Sequence, residues 1–580
     1  MKIVFRLLKK LEVVKTIFIV GIILLIISSL GNVLSPLIIK STIDNVIAPV
    51  TKGAQLDVTL LLVKILTFLF FIILSSVVSY FAIRILMHCA NVVAETIRNE
   101  AFEVMQSLPV SYFDDKPAGK ISSRIVNDAE TLRRNFYGTF VSQVFVHMFN
   151  VLITYATIFY LNIWLGVLML VLIPVFVFWQ KIYGKKISSM MKSFYESQSE
   201  INSQVNEVMN GSTIIQLFEQ EDNAKNDFLK TSMKMQEAEL SMLKVDSTIS
   251  WSLVEFFQRL FLFLILSFVT YVFLGGYFVI SSGFIFLVIE YTMKIFSSLG
   301  MLVRLLPEMG RSLATGERVF ELLDAKLESD NDEKIEIIHG NVEFKDVTFS
   351  YKEGVQVLKN ISFTAKKGET VALVGNTGSG KSSIMNVLFR FYDPQNGEIL
   401  IDGQNIQNFN RESIRESMGI VLQDPYLFTG TIESNISMGN EKINRAVVID
   451  SLKKVGAMPM IEKLEKGIDT PVVERGNSFS SGERQLISFA RTLADDPKIL
   501  ILDEATSHID TETEDIIQNA MNVVKSGRTT FIIAHRLSTI KNANQILVLE
   551  NGEIIERGNH QELLKLNGKY AQMYKIQQKI

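Results

Sequence analysis

The sequence predicts an α-helical membrane domain of six spans with long cytoplasmic helical extensions, followed by an α/β domain. Three observations carry that prediction. Six apolar runs long enough to cross a bilayer crowd into the first half of the chain. The stretches Arg84 to Phe140 and Lys181 to Ser250 are too long for ordinary loops, yet keep apolar residues at helical spacing. Beyond residue 340, the apolar run Thr370 to Val374 ends in a glycine-rich turn that opens a helix-like run, a strand–loop–helix pattern.

The six runs fall at Thr16 to Leu37, Leu60 to Ile85, Val141 to Tyr160, Trp164 to Tyr183, Leu253 to Tyr277 and Gly283 to Leu306. With 48% hydrophobic and 21% charged residues among 580, the chain is too apolar for a purely soluble protein. The first run lacks a small-residue cleavage pattern and is expected to stay in the mature protein. Lys2, Arg6, Lys9 and Lys10 precede it, whereas the turns Leu161 to Ile163 and Gly276 to Ser282 carry no Lys or Arg. The N-terminus and the long polar stretches are therefore expected on the cytoplasmic side. A net charge of −3 without a dominant basic cluster gives no support for nucleic-acid binding. The single cysteine, Cys89, excludes an intramolecular disulfide and a cysteine-based metal cluster, and is expected as a small buried hydrophobe.

Two breaks interrupt the helical extensions, near 109–118 and 209–218, where turn formers meet apolar residues. Two pairs of ionisable residues lie four apart in apolar surroundings, Glu255 with Arg259 and Glu290 with Lys294, and each pair can meet on one helix face. Charge in lipid is expensive, so Glu290, deep in its span, is a functional candidate. Met309 to Leu323 reads as an amphipathic helix and Leu327 to Lys334 as an acidic linker. The expected domains are a membrane domain at 1–310, a linker at 311–340 and an α/β domain at 341–580. No internal repeat is visible.

In the glycine-rich turn, Gly375, Asn376, Thr377, Gly378, Ser379, Gly380, Lys381, Ser382 and Ser383 follow the spacing G-x-x-x-x-G-K-S. Such a loop brings backbone N–H groups onto phosphate oxygens, Lys381 adds a cation and Ser382 a Mg²⁺ ligand. Lys498 to Glu504 is an apolar strand ending in two carboxylates, of which Asp503 is suited to Mg²⁺ and Glu504 to polarising water. Asn477 to Gln485 is a small polar turn opening a helix, and Ile532 to Arg536 ends another strand at His535.

The order of these elements resembles the ATPase cassette of ATP-binding cassette (ABC) transporters. The resemblance implies an α/β P-loop ABC ATPase that binds ATP and Mg²⁺, with Tyr351 stacking on adenine. It implies that Gln423 bridges metal, water and a neighbouring domain, that Ser507 to Asp510 form the D-loop, and that His535 senses the γ-phosphate. The breaks near 109–118 and 209–218 resemble the coupling helices of ABC exporters. One membrane half and one motor half imply a half-transporter that needs a second chain.

The usual signature of the family reads L-S-G-G-Q, whereas this chain has Phe479-Ser480-Ser481-Gly482-Glu483. Ser480, Ser481, Gly482 and Glu483 would face ATP held by the partner's P-loop. There Ser481 adds a Cβ and Glu483 a negative charge beside an anion, and both weaken the contact. His508 and Val473 depart from the family too, without a physical account. The resemblance implies one half of a heterodimeric bacterial multidrug exporter, multi-pass in the cytoplasmic membrane, with its N-terminus and ATPase cytoplasmic. Its substrates are expected to be small hydrophobic or amphipathic compounds. A lipid flippase or peptide exporter of the same fold is the alternative; a soluble ABC ATPase of translation or DNA repair conflicts with the six spans.

Overall fold

The computed structural model describes residues 2–114, 116–245, 247–248, 252–274, 281–328, 331–352, 354–503, 511–533 and 540–577. The chain divides into two compact units, one of residues 1–108 with 116–326 and one of residues 109–115 with 327–580.

The first unit is helical, and six helices among its described residues are long and apolar enough to cross a membrane. They are α1 (Lys2–Thr51), α2 (Val58–Gln106), α3 (Gly119–Leu161), α4 (Ile163–Asn210), α6 (Leu253–Leu274) and α7 (Ser282–Leu323), with the polar α5 (Glu221–Val245) between α4 and α6. Caps set several boundaries. Asp57 accepts from the Leu60 N–H (2.9 Å) before α2, Asn162 from Leu165 (3.0 Å) before α4, and Ser281 from Phe284 (3.1 Å) before α7. Each cap satisfies a backbone donor that would otherwise be orphaned at a helix start. Along α2, Leu66, Phe70 and Ile73 are all about three-fifths exposed, the kind of apolar surface a bilayer covers.

Several polar contacts inside this unit join different helices, as expected where lipid offers no competing partner. Ser75 Oγ donates to the Ser28 carbonyl (2.8 Å) and Ser28 Oγ to the Ser75 carbonyl (3.1 Å), tying α1 to α2. Tyr291 of α7 donates to the Val33 carbonyl of α1 (2.8 Å). The Asp44 carboxylate accepts from Lys40 (2.9 Å), the Ser281 hydroxyl (2.8 Å) and the Gly283 N–H (2.9 Å). Of the two expected pairs, Glu255 and Arg259 meet at 2.5 Å. Lys294 instead donates to the Asn32 carbonyl at 2.6 Å, because α1 lies close enough to α7 to offer an acceptor, and no ion pair joins it to Glu290 among the described residues. Cys89 is buried.

Paired charges carry the helical unit on to residue 326. Arg318 clamps Asp128 at 2.9 and 2.6 Å, Arg6 clamps Asp324 at 2.6 and 2.7 Å, and Glu321 accepts from Arg124 (3.0 Å) and Lys116 (3.2 Å). Two-pronged Arg–carboxylate contacts fix orientation as well as distance.

The second unit is α/β. Its strands are β1 (Val342–Phe349), β2 (Leu358–Ala365), β3 (Thr370–Val374), β4 (Asn396–Ile401), β5 (Gln404–Asn405), β6 (Met418–Val421), β7 (Gly430–Thr431), β8 (Pro471–Val472), β9 (Ile499–Asp503), β10 (Thr529–Ile533), β11 (Gln545–Glu550) and β12 (Glu553–Gly558). They form sheets in the orders β2-β1-β4-β5, β12-β11-β3-β10-β9-β6 and β7-β8. From β11 to β6 the large sheet is parallel, with Phe531 beside Val371 and Ile532 beside Leu502. Every residue of β3 and β10 is buried, as a parallel sheet covered on both faces requires. Alternate side chains feed two cores: Val371, Leu373 and Phe531 one, Ala372, Ile532 and Leu500 the other.

Entry into the first sheet is pinned by Asp402, whose carboxylate accepts four successive backbone N–H groups from Ile338 to Asn341, at 2.8 to 3.1 Å. Partial burial pushes this carboxyl up, but the four donors outweigh it and hold it below the usual carboxylate range.

Candidate functional site

Four neighbouring parallel strands, β3, β10, β9 and β6, end on the same edge of the large sheet, the edge where α/β sheets bind ligands. The glycine-rich loop follows β3 and passes into α8 (Lys381–Leu388). Glycine is required at two of its positions. A Cβ at Gly375 would lie 2.3 Å from the Leu549 carbonyl oxygen, and Gly380 precedes the helix at φ +105°, a conformation costly for any other residue. Asn376, Thr377, Gly378 and Ser382 are exposed around the buried Ser379, Lys381 and Ser383.

Lys381 Nζ donates to the carbonyls of Gly375 (2.7 Å) and Asn376 (2.9 Å), curling the loop over its own ammonium. Burial pushes this ammonium down from the ordinary lysine range, and the Asp503 carboxylate at the end of β9 opposes that shift. Ser379 Oγ is buried without a hydrogen-bond partner. An unsatisfied hydroxyl within a loop that starts a helix suits the anionic oxygens of a nucleoside triphosphate.

Tyr351 reaches the same helix. Its hydroxyl is 3.1 Å from Ser383 Oγ and accepts from Asn386 Nδ2 at 2.9 Å. Phe349 and Tyr392 present their rings nearly at right angles to it, with centroids 4.7 and 5.0 Å away. The ring is thereby fixed while 43% of the residue stays exposed. Neither Asn386 nor Tyr392 was expected at the site, although Asn386 lies three residues after Ser383 on the same helix face. Gln423 is exposed just beyond β6. Glu504, Ser507 to Asp510 with His508, and His535 lie outside the described residues; the strands before Glu504 and His535 end at Asp503 and Ile533.

The turn from Phe479 to Glu483 opens α9 (Ser481–Asp495). Ser480 Oγ accepts from the Glu483 N–H (3.2 Å) and the Glu483 carboxylate accepts from the Ser480 N–H (2.8 Å), a reciprocal capping box. The pattern S-x-x-E was readable in the sequence, but its effect on this turn was missed. Phe479 and Gly482 are buried and Ser481 is exposed, while Val473 is exposed before Arg475, which has φ +62°.

The two breaks in the helical extensions are short helices, Val110–Asp114 and Ser212–Leu217. The first clusters with the α/β unit, where the Tyr392 hydroxyl bonds the Asp114 carboxylate. The second carries exposed Ile214 and Leu217, followed by exposed Phe218.

Comparison with known proteins agrees with this geometry. The family model for the ABC transporter transmembrane region matches residues 18–299, and that for the ABC transporter matches 358–507. The chain is 46% identical over 497 residues to a Bacillus subtilis protein named "Probable multidrug resistance ABC transporter ATP-binding/permease protein", covering 85% of this chain and 73% of that one. It is 36% identical to an ATP-dependent lipid A-core flippase of Haemophilus influenzae, covering 87% and 86%. Among solved structures, a bacterial Atm1-family ABC exporter with ATP bound superposes with a TM-score of 0.81 at 26% identity, covering 97% of this chain and 98% of that one. Six membrane helices, a P-loop sheet with its ligand edge built from four strand ends, and these matches place the chain in the ABC transporter family, as a multi-pass half-transporter whose ATP-hydrolysing domain drives export.

Proposed function

We propose that this chain is the catalytically complete half of a heterodimeric exporter that moves small hydrophobic or amphipathic compounds out across the cytoplasmic membrane of a bacterium. In this reading the loop from Gly375 to Ser383 holds the phosphates of ATP, Tyr351 stacks on the adenine, and Ser382, Asp503 and Gln423 hold Mg²⁺. Glu504 polarises the attacking water and His535 contacts the γ-phosphate. The membrane domain spans 1–310 and the ATPase 341–580, and the short helices near 109–118 and 209–218 couple them.

The observation that carries the asymmetric pairing is the capping box between Ser480 and Glu483. A helix start binds phosphate through free N–H groups and the positive end of its dipole. A neutral Gln at position 483 would close the same cap; here the group that closes it is an anion, held at the helix start. The signature this chain offers to a partner's ATP is therefore weak, while its own P-loop half-site keeps its full set of residues. A partner with an intact signature restores one rapid site and leaves one slow site.

The test is to purify this chain alone and with the half-transporter that co-purifies with it. The pair is expected to hydrolyse ATP briskly and the lone chain poorly. Ser481→Gly with Glu483→Gln is expected to speed the slow site without weakening nucleotide binding at Lys381. Robust, substrate-stimulated hydrolysis by the lone chain would refute the heterodimer. The flippase relative supports a lipid substrate as the second reading, and the same preparations assayed for headgroup translocation distinguish it.

A further inference from the structure

The C-terminal helix α10 (Lys569–Gln577) belongs to none of the motifs that the ATP reading uses. Its start is tied to β12. The Glu556 carboxylate accepts the Lys569 N–H and, at 3.1 Å, the Tyr570 N–H, two donors that a helix start otherwise leaves orphaned. A Cβ at Gly568 would lie 2.2 Å from the same carboxylate, so only glycine lets the helix start come this close. From that fixed start Lys569 Nζ reaches the carboxylate of Glu550, the last residue of β11, at 2.6 Å.

Glu550 leads into the turn that stands behind the glycine-rich loop. Before it, the Leu549 carbonyl lies against Gly375, where a side chain would collide with it. After it, the Gly552 N–H donates to the Ser379 carbonyl at 3.3 Å. The turn therefore touches the loop at two feet, Gly375 and Ser379. Between the feet, Asn376, Thr377 and Gly378 are exposed and border a cavity of about 180 Å³ that Lys569 and Met573 also line. The middle of the loop has little packed behind it, so its position depends on its feet.

We propose that Lys569 is a positioning residue for ATP hydrolysis: through Glu550 it fixes the turn on which both feet of the loop rest, and so sets how tightly the loop grips phosphate. The inference rests on the reading that the loop from Gly375 to Ser383 holds the phosphates of ATP. A nest of backbone N–H groups binds an anion only while its donors converge, and a turn free to shift lets them diverge. Lys569 and Glu550 are 39% and 38% exposed. Water screens a pair this open, so its loss is expected to weaken phosphate binding about two- to fivefold and no more.

The test uses the purified transporter in lipid nanodiscs and follows hydrogen exchange over residues 375–383 during titration with tripolyphosphate and with ATP. Lys569→Met and Glu550→Ala are each expected to weaken both ligands by the same factor, about two- to fivefold, because the two ligands share phosphates and only ATP carries a base. The ATP concentration at half-maximal hydrolysis is expected to rise by that factor, with turnover at saturating ATP and the melting temperature unchanged. Lys569→Arg is expected to keep the wild-type response, and the double variant to bind no more weakly than either single one. Unchanged titrations in both single variants overturn the brace. So does a loss confined to ATP, a fall in saturated turnover, or a double variant weaker than both singles, which would show two separate packing effects. A wild-type loop whose exchange does not answer to tripolyphosphate overturns the phosphate reading of the loop itself, and the brace with it.

Discussion

Replacing Tyr351 by leucine is expected to weaken ATP binding to this chain about five- to seventyfold while leaving the grip on phosphate untouched. The magnitude follows from the geometry. An aromatic side chain offers ~150–250 Å², and Tyr351 is 43% exposed, which leaves ~90 Å² free for a ligand. A base covering half of that contributes about 1 kcal/mol at ~25 cal/mol per Å², and the ring–ring term raises the total to ~1–2.5 kcal/mol. Tyr351→Phe keeps the ring and loses only the contacts to Asn386 and Ser383, so its effect is expected to stay below about threefold. Hydrogen exchange over residues 375–383, titrated with ATP and with tripolyphosphate, reads this chain separately from its partner. Tripolyphosphate has no base, so its titration is expected to coincide in wild type and Tyr351→Leu. Equal weakening toward both ligands would mean that Tyr351 shapes the loop, and no weakening toward ATP would remove the base platform altogether.

Glu504→Gln is expected to bind ATP normally and slow its hydrolysis by ~10²–10⁴, the usual contribution of a positioned base, measured by single-turnover phosphate release. Glu290→Gln is expected to reduce export of cations more than of neutral compounds; Lys294 is engaged by the Asn32 carbonyl, so equal loss for both classes would show a packing role instead. Asp402→Ala is expected to cost about 2 kcal/mol of local stability, seen as faster amide exchange at Ile338 to Asn341. The Asp402 carboxyl is held below its unfolded value, so its stabilisation is complete above the unfolded pKa of about 4 and fades as pH falls through the folded value. The difference between wild type and variant should therefore be full at pH 7 and shrink below about pH 4.

Local chemistry was readable where one residue decides it. The six spans followed from apolar length, and Asn162 and Ser281 capped the helices they precede because short polar side chains satisfy the next turn. The glycine-rich loop was readable from spacing, since Gly375 and Gly380 occupy positions that exclude a side chain. Long-range partners were not. Lys294 was expected to meet Glu290 four residues away, but its long side chain reaches the backbone of α1, which sequence spacing does not reveal. Tyr392, whose ring packs edge-on against Tyr351, is distant in sequence and comes alongside only in the fold.

The central claim is that hydrolysis at the Lys381 site drives directional movement of a compound through the six-span domain. The direct measurement is accumulation of Hoechst 33342 by sealed proteoliposomes containing the two-chain transporter with its ATPase domains outward, started by Mg²⁺-ATP. Concentrative uptake that stops with Glu504→Gln, and is absent when a non-hydrolysable ATP analogue replaces ATP, is the expected result. Steady ATP hydrolysis accompanied only by equilibration of the dye across the membrane would contradict it, and would assign the chain to ATP-gated permeation.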